Sequence, residues 1–598
     1  MQKIFYDTRM LDQAARDAYG LTEDIMMENA SAALERAGSD HFFSPDNKYI
    51  NRPCVLILAG GGNNGADGYA LARRIVQHKI DVAVCQVYEP KSAMCVLQAD
   101  RAKKAGAIFI SPYDLDEWIE RASFDLRVVY DCIFGSGFHG TLDAMAAAVI
   151  ASANKIDGAC KIACDIPTGA SQDCSQGREA ASGNRTQAKE AAAFLADTTV
   201  TMGALKLALY SDEAKDACGK IVVADLGVSR GNFESAASTV CKSANDSGID
   251  KDCLQAKEAA RGNRSQTQNT GREQKASQDQ NAAAPCANLL EPTDARLPLR
   301  GKKQNSNKGA YGHTAIYAGT KPGAAVIAGH AALKFGSGLV SLVPVAEQKI
   351  AFENVVDFEL MVADAVPQNA TALVVGPGLG RPDSFGSGND SQGQEAAASN
   401  DFGLAKNSGI DKKSSQAKEA ASTNSSLATV FSALNGSALP AVLDADIFYW
   451  PQIKDLLAAK KNVVLTPHPK EFAALLKNLG MGDYTVAQVV ARRFELVKDF
   501  CRAYPDCVLV LKGANVLIAS KLQGEQEPRV YINALGSSAL AKGGSGDVLA
   551  GMTAALLAQG YLPLEAAVNA SIAHANASRA FDSADYALTP FGLIGEIT

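Results

Sequence analysis

Short apolar runs, each broken off by a glycine-rich or aspartate-led loop and followed by helix-forming sequence, recur along most of this 598-residue chain. In the first half they are Val55 to Ala59, Val82 to Val87, Ala107 to Ile110, Arg127 to Tyr130 and Lys161 to Cys164. In the second half they are Ala372 to Val375, Ala441 to Leu443, Val463 to Leu465 and Val508 to Leu511. Runs of this length alternating with helical stretches predict mostly parallel sheets covered by helices, an α/β architecture. Ligands of such sheets bind outside the carboxyl ends of the strands, which is where these loops fall. A hydrophobic fraction of 47% is ample for two buried cores. Ahead of the first strand, Ile25, Met26, Ala30, Ala33 and Leu34 fall near helical spacing within Leu11 to Ala37, with Thr22 as an N-cap, and read as packing surface.

Charge and cysteine usage narrow the partners. Net charge is −7, from 58 basic and 65 acidic residues, with no dense basic cluster, so neither nucleic acid nor an anionic membrane is expected as a partner. The opening MQKIFYDTRMLDQ has no apolar core for a signal peptide, and no long charge-free apolar run predicts a membrane span. Thirteen scattered cysteines without paired CxxC spacing read as reduced thiols of a cytoplasmic protein.

Three segments have another texture: Ser171 to Ala192, about Arg230 to Glu291, and Pro382 to Ser426, rich in Ser, Ala, Asn, Gln, Lys and Gly. QAKEAA recurs at Gln187, Gln255 and Gln416, and SGID at Ser247 and Ser408. Their polarity argues against packed structure, and the irregular period against a solenoid. Tolerated surface insertion is the expected role, with a repeated partner-binding motif as the alternative. The middle segment divides the chain into 1–229 and 297–598, with 230–296 as linker.

In the first half, three loops follow strands: AGGGNNGADGYALARR, YDCIFGSGFHG and ACDIPTG. None is GxxxxGK[ST], so an ordinary P-loop is excluded. One such turn is weak evidence, but Asp131 and Asp165 each lead a loop on successive elements of one sheet. Together, as NNGADG, DCIFGSG and DIPTG, the loops resemble the NAD(P)H-hydrate epimerase domain, a Rossmann-like three-layer fold, over about Met1 to Ser229. TVTMGALKLAL and KIVVADLGVS look like that family's final strands. The resemblance implies a potassium ion held by Asn64, Asp131 and Thr168. It places Asn63, Asn64, Gly65, Ala66 and Asp67, with Gly135, Ser136, Gly137, Phe138, His139, Gly140 and Thr141, around the nicotinamide ribose and phosphates. Asp165 becomes the acid/base on the hydrated ring, whose C6 bears both a hydroxyl and the ring nitrogen. Epimerising that carbon needs a proton moved off and returned, a task for one positioned carboxylate. Ala66 stands where the family has glycine, which is expected to crowd the ligand loop; Thr168 replaces a serine and keeps its hydroxyl.

In the second half the most constrained stretch is Lys542 to Gly551, KGGSGDVLAG, a run of small residues passing straight into an apolar helix over roughly Asp547 to Gln559. Glycines let backbone amides approach an anion closely, and the helix points its positive end at the same spot. A carboxylate there, Asp547, predicts that loop and acid share one ligand. GPGLG at Gly376, LDAD at Leu443, TPHPKE at Thr466, LKG at Leu511 and GSGDVLAG at Gly544 keep the order of motifs found in ADP- or ATP-dependent NAD(P)H-hydrate dehydratases, which the chain resembles over about Leu297 to Thr598. That implies a ribokinase-like fold. It also implies a nucleotide, with its Mg2+, on Lys512, Gly513, Ala514, Asn515, Val516, Gly544, Ser545 and Gly546, and the hydrated cofactor on Ala324, Gly378, His468 and Asp547. Asp547 would take the hydroxyl proton while the loop amides hold the charge developing on a transferred phosphoryl group. Lys470 stands where the family usually has glycine and Val516 where it has threonine, which is expected to weaken one nucleotide contact. Among the other histidines no metal-ligand spacing appears, and only His139 is placed beside a ligand loop.

A chain with both halves reads as a bifunctional cofactor-repair enzyme, taking NADHX or NADPHX with ADP or ATP, and the resemblance implies a homo-oligomer. Two alternatives stay open at this level: a ribokinase-like vitamin kinase using the same GSGD loop, and an N-terminal half serving as a non-catalytic binding scaffold.

Overall fold

A computed structural model describes residues 1–42, 53–122, 125–138, 140–170, 193–236, 284–296, 305–345, 359–382 and 430–598. It divides into two compact units, Met1–Leu289 and Leu290–Thr598. Ser171 to Ala192 and most of the other two low-complexity segments lie outside the described residues. Within 230–296, however, residues 230–236 are helical and Ala287–Leu289 forms a strand.

In the first unit the single helical stretch expected over Leu11 to Ala37 is two helices, α1 (Arg9–Tyr19) and α2 (Glu23–Phe42). Gly20 ends α1 in the left-handed conformation, at φ 65°, and its amide bonds back to Arg16. This is a glycine C-cap that breaks the apolar pattern. Following strand β1 (Gln2–Phe5) and these helices come β2 (Cys54–Ala59), α3 (Asn63–Val76), β3 (Asp81–Gln86), α4 (Ala93–Ala105), β4 (Ile108–Ile110), α5 (Leu115–Ala122), β5 (Leu126–Cys132), α6 (Ala144–Asn154), β6 (Cys160–Cys164), β7 (Thr198–Met202), β8 (Leu205–Lys206), α7 (Ala214–Cys218), β9 (Lys220–Ala224) and β10 (Ala287–Leu289). Seven strands form one parallel sheet in the order β4-β3-β2-β5-β6-β7-β9. Period-two alternation sends Val55, Ile57 and Ala59 of β2 to one face, with Ala70 and Ile75 of α3. Leu56 and Leu58 go to the other, with Val149 and Ile150 of α6. Both faces are covered, giving three layers. The short β8 pairs in parallel with β1, Leu205 opposite Ile4 and Lys206 opposite Phe5.

The second unit runs β11 (His313–Ala318), α8 (Pro322–Lys334), β12 (Leu339–Pro344), β13 (Met361–Val362), β14 (Ala372–Val375), β15 (Ala441–Leu443), α9 (Ile453–Ala459), β16 (Val463–Leu465), α10 (Pro469–Leu479), α11 (Val486–Ala491), α12 (Arg493–Ala503), β17 (Cys507–Leu511), β18 (Val516–Ser520), β19 (Arg529–Asn533), α13 (Ser545–Ala558), α14 (Pro563–Ala580) and α15 (Pro590–Gly595). Strands β13-β12-β11-β14-β15-β16-β17 pair in parallel, and β18 and β19 extend the sheet antiparallel. One face carries the apolar helices α8, α13 and α14. In both sheets the strand order reverses once, between β2 and β5 and between β11 and β14. Those switch points open a crevice at the strands' carboxyl ends.

Candidate functional sites

In the first unit the loops after β2 and β5 flank the switch point, and the loop after β6 adjoins them. Asn63, Asn64, Gly65, Ala66 and Asp67 are not loop but the opening turns of α3, so they present a helix N-terminus to the crevice. Ala66 does not crowd that opening: its methyl is fully buried in the apolar core, with Tyr69 and Ala70. The Asn64 side-chain nitrogen is buried without a partner among the described residues.

Asp131, at the end of β5, is fully buried and binds the next strand's loop. Its carboxylate accepts from the Thr168 amide at 2.7 Å, the Thr168 hydroxyl at 2.8 Å and the Ile133 amide at 3.1 Å. Burial pushes its carboxyl up to about 6 against the pull of those donors. Thr168 in turn accepts from the Phe134 amide at 3.1 Å, so Asp131 and Thr168 tie both aspartate-led loops together.

Asp165 sits at φ +69°, a conformation rare for non-glycine residues and concentrated at functional sites. Its Oδ2 accepts from the Ser136 amide at 2.9 Å. Oδ1 faces the buried Lys206 ammonium at 2.6 Å. A Cβ at Gly135 would stand 2.9 Å from Asp165 Oδ2 and 3.1 Å from Asn64 Oδ1, so a side chain there would fill the space between them. Burial opposes the charge on Asp165, yet Lys206 outweighs it and holds the carboxyl below the usual carboxylate range. The neighbouring Asp67 goes the other way, pushed well up by burial and then by the charge on Asp165. The two neighbouring carboxyls are thus driven in opposite directions, the pattern by which one site separates its acidic groups. Phe138 stacks on Phe134 at 4.0 Å beside Gly135, Ser136 and Gly137; Gly140 and Thr141 follow, and His139 lies outside the described residues.

In the second unit the N-terminus of α13 and the carboxyl ends of β14 to β17 converge. Helix α13 begins at Ser545, two residues earlier than expected, because Gly544 turns the chain at φ 92°. Ser545, Gly546 and Asp547 therefore form its first turn, the end of a helix that attracts an anion, with the Ser545 amide bonded back to the Lys542 carbonyl at 3.2 Å. Lys512, just after β17, reaches Asp444 Oδ1 at 2.8 Å and Glu471 Oε2 at 3.7 Å. Thr466 donates to the same Asp444 oxygen at 2.8 Å. A Cβ at Gly546 would lie 3.1 Å from Lys512 Nζ, which places the ammonium against the helix opening. Burial first, then the charge of Asp444, pushes Asp547 up to about 7, with Lys512 opposing. Glu471 is likewise driven up to about 7, chiefly by burial.

His468 is the N-cap of α10. Its Nδ1 accepts from the amides of Lys470 and Glu471 at 3.1 Å and 3.2 Å, so the proton of the neutral ring is on Nε2, 3.2 Å from Glu471 Oε1. Burial and then Lys512 lower its pKa and keep the ring neutral. The Lys470 side chain is exposed at the opening turn of α10. Ala324 opens α8, and Gly378 accepts from the Lys321 amide at 3.0 Å, joining the two loops at the switch point. Lys512, Gly513 and Ala514 border the loop after β17, Asn515 is buried, and Val516 packs against the apolar core. Sequence reasoning passed over four participants. Lys206 lay inside an apolar run, and Asp444 and Glu471 lay in quoted motifs but without a role. His574, on α14, is buried and contacts the Ser545 carbonyl through Nε2 at 3.0 Å.

Two parallel α/β units, each with a carboxylate at a glycine-rich turn beside its switch point, have the architecture of nucleotide-handling α/β proteins. The family model for NAD(P)H-hydrate dehydratase matches residues 419–598, and that for the YjeF-related protein N-terminus matches residues 23–208. Over 597 residues the chain is 36% identical to the bifunctional NAD(P)H-hydrate repair enzyme Nnr of Helicobacter pylori, covering 100% of this chain and 99% of that one. It is 31% identical over 232 residues to the NAD(P)H-hydrate epimerase of Lentilactobacillus buchneri, 38% of this chain and 96% of the relative. To the ADP-dependent (S)-NAD(P)H-hydrate dehydratase of Neisseria meningitidis it is 30% identical over 299 residues, 48% of this chain and 83% of the relative. The chain belongs to the family of bifunctional NAD(P)H-hydrate repair enzymes. Its fold class is the α/β one expected from sequence, a three-layer unit on a parallel sheet followed by a second unit on a mostly parallel sheet.

Proposed function

We propose that residues 1–229 epimerise the C6 centre of hydrated NADH or NADPH and that residues 297–598 dehydrate the S form at the expense of ADP or ATP. The observation that carries this reading is the pairing, in one chain of this family, of Asp165, held between Lys206 and the Ser136 amide beside the first switch point, with Asp547 in the first turn of the glycine-led helix α13 beside Lys512.

For epimerisation, Asp165 takes the proton of the C6 hydroxyl as the C6–N1 bond opens to an aldehyde and N1 gains a proton. Rotation about C5–C6 and re-addition of N1 to the other face return the proton. Asn64, Asp131 and Thr168 fit a potassium ion: each carries a side-chain oxygen, and Asp131 is buried with no Lys or Arg paired to it among the described residues. Bound there, the ion would supply fixed positive charge for phosphate oxygens.

For dehydration, Asp547 removes the C6 hydroxyl proton while that oxygen attacks the terminal phosphoryl group of ADP or ATP, whose bridging P–O bond breaks to release AMP or ADP. The amides of Gly544, Ser545 and Gly546 and the Lys512 ammonium stabilise the charge on the phosphoryl oxygens. N1 then expels inorganic phosphate, and loss of a C5 proton regenerates the dihydropyridine. Mg2+ arrives with the nucleotide. The proposal includes the homo-oligomer implied by sequence resemblance, which light scattering tests.

The test is to incubate mixed R and S NADH hydrate with the protein and ADP or ATP, following the near-ultraviolet absorbance of NADH. Full recovery is expected; no recovery with either nucleotide sinks the dehydratase assignment.

A further inference from the structure

Lys206 is the one lysine among the fully enclosed side chains of the described residues, 1% exposed at the end of β8. Burying an ammonium is costly unless every donor is satisfied, and here each is. Nζ lies 2.6 Å from Asp165 Oδ1, 3.1 Å from Thr201 Oγ1 and 2.9 Å from the Met202 carbonyl. An ammonium has three protons, so none is left over for a ligand. The same oxygen, Oδ1, also receives the Thr201 hydroxyl at 3.4 Å and the Met202 amide at 3.3 Å. Oδ2 has instead the Ser136 amide, from the turn that borders the crevice, and lies 2.9 Å from where a Gly135 Cβ would stand.

We propose that Lys206 is a positioning residue for the epimerisation: from beneath the site it clamps Oδ1 of Asp165, so that Oδ2 is the oxygen that exchanges a proton with the substrate's C6 hydroxyl. The inference rests on the reading of Asp165 as the acid/base and specifies how that carboxylate is held. β8 owes its place to pairing with β1, so the chain's first strand sets the position of the clamp. The charged and titratable groups around the pair are Asp67 on α3, Cys164 on β6, and Asp7 and Asp12 leading into and on α1, with the neutral Ser136 of the β5 loop as a hydrogen-bond donor. Burial pushes Asp12 up to about 6, leaving Lys206 the dominant full positive charge facing Asp165.

The experiment follows loss of freshly separated R hydrate by chromatography, without nucleotide, using the full chain and Asp165→Asn as background. Lys206→Met is expected to lower kcat about 10²-fold or more at neutral pH with KM nearly unchanged. The acid limb of kcat is expected to move up by about 1–3 pH units, the shift a lost opposite charge produces. Dehydration of the S form by the same preparation reports that the chain is folded. Unchanged kcat and an unmoved acid limb in Lys206→Met overturn the clamp and leave Lys206 as packing. Full activity in Asp165→Asn overturns the acid/base reading itself, whatever Lys206 does. Should Lys206→Met not fold, carbon-13 NMR of labelled aspartates in the unaltered protein decides. The Asp165 carboxyl is expected to titrate below the ordinary carboxylate value, and titration at or above it overturns the proposal.

Discussion

Asp165 and Asp547 are the same residue type placed at the same kind of strand-end loop, and their surroundings give them opposite acidities. Asp165 is buried and Asp547 half-buried, which in both favours the neutral acid. Asp165 has a lysine at 2.6 Å whose charge and hydrogen bond, with the hydrogen bonds of Ser136, together outweigh burial; Asp547 shares the more distant Lys512 with Asp444 and Glu471 and rises to about 7. A general base must be ionised to work. The dehydration rate is therefore expected to fall by about tenfold per pH unit below about 7. A profile of kcat at saturating nucleotide checks this, and a flat profile down to pH 5 would exclude Asp547 as the base. Replacing the carboxylate, Asp547→Asn, is expected to cost about 10²- to 10⁴-fold in dehydration while nucleotide binding, measured by calorimetry, is largely kept. Both carboxylates were legible in the sequence because each leads or ends a small-residue turn after an apolar run. Lys206, Asp444 and Glu471 were not assigned, because pairing across strands leaves no local pattern. Ala66 shows the converse: a substitution expected to disturb a ligand loop turned into the core once the loop proved to be a helix.

At the scale of elements, helix α13 owes its place to its close approach to α8. A Cβ at Gly551 would stand 2.1 Å from the Ala328 carbonyl oxygen, an approach only glycine permits without movement. Gly551→Ala is expected to destabilise the second unit by about 1–3 kcal/mol. Because α13 carries Ser545, Gly546 and Asp547, the same change should raise KM for nucleotide. Thermal melts read beside KM separate this from a neutral change, and unaltered values in both would show that the helices separate freely. The strand cores were nearly all visible beforehand: β14, β15 and β16 have the residues expected. Helix starts were less visible. Asn63 and Ser545 begin helices inside stretches that read as loop, since glycine-rich sequence conceals a first turn whose amides are held by tertiary position rather than by a side-chain cap.

For the whole molecule, two units with separate sites predict separable losses. The Asp547→Asn chain is expected to go on equilibrating R and S hydrates without forming NADH, whereas Asp165→Ala is expected to repair S at the full rate and R only as fast as it epimerises spontaneously. Chromatographic separation of the isomers beside NADH absorbance reads both, and loss of both activities in either variant would contradict independent sites. The order of loops along the chain, set by covalent sequence and by the apolar runs between them, was enough to determine two mostly parallel α/β units and the aspartates at the strand ends. Tertiary structure alone decided which strand ends lie at a switch point, and that a lysine from a two-residue strand meets Asp165. It also decided that the acidity of each aspartate is set by its neighbours. Burial and charge pairing depend on distances between residues tens to hundreds of positions apart, and such distances exist only once the sheet has formed.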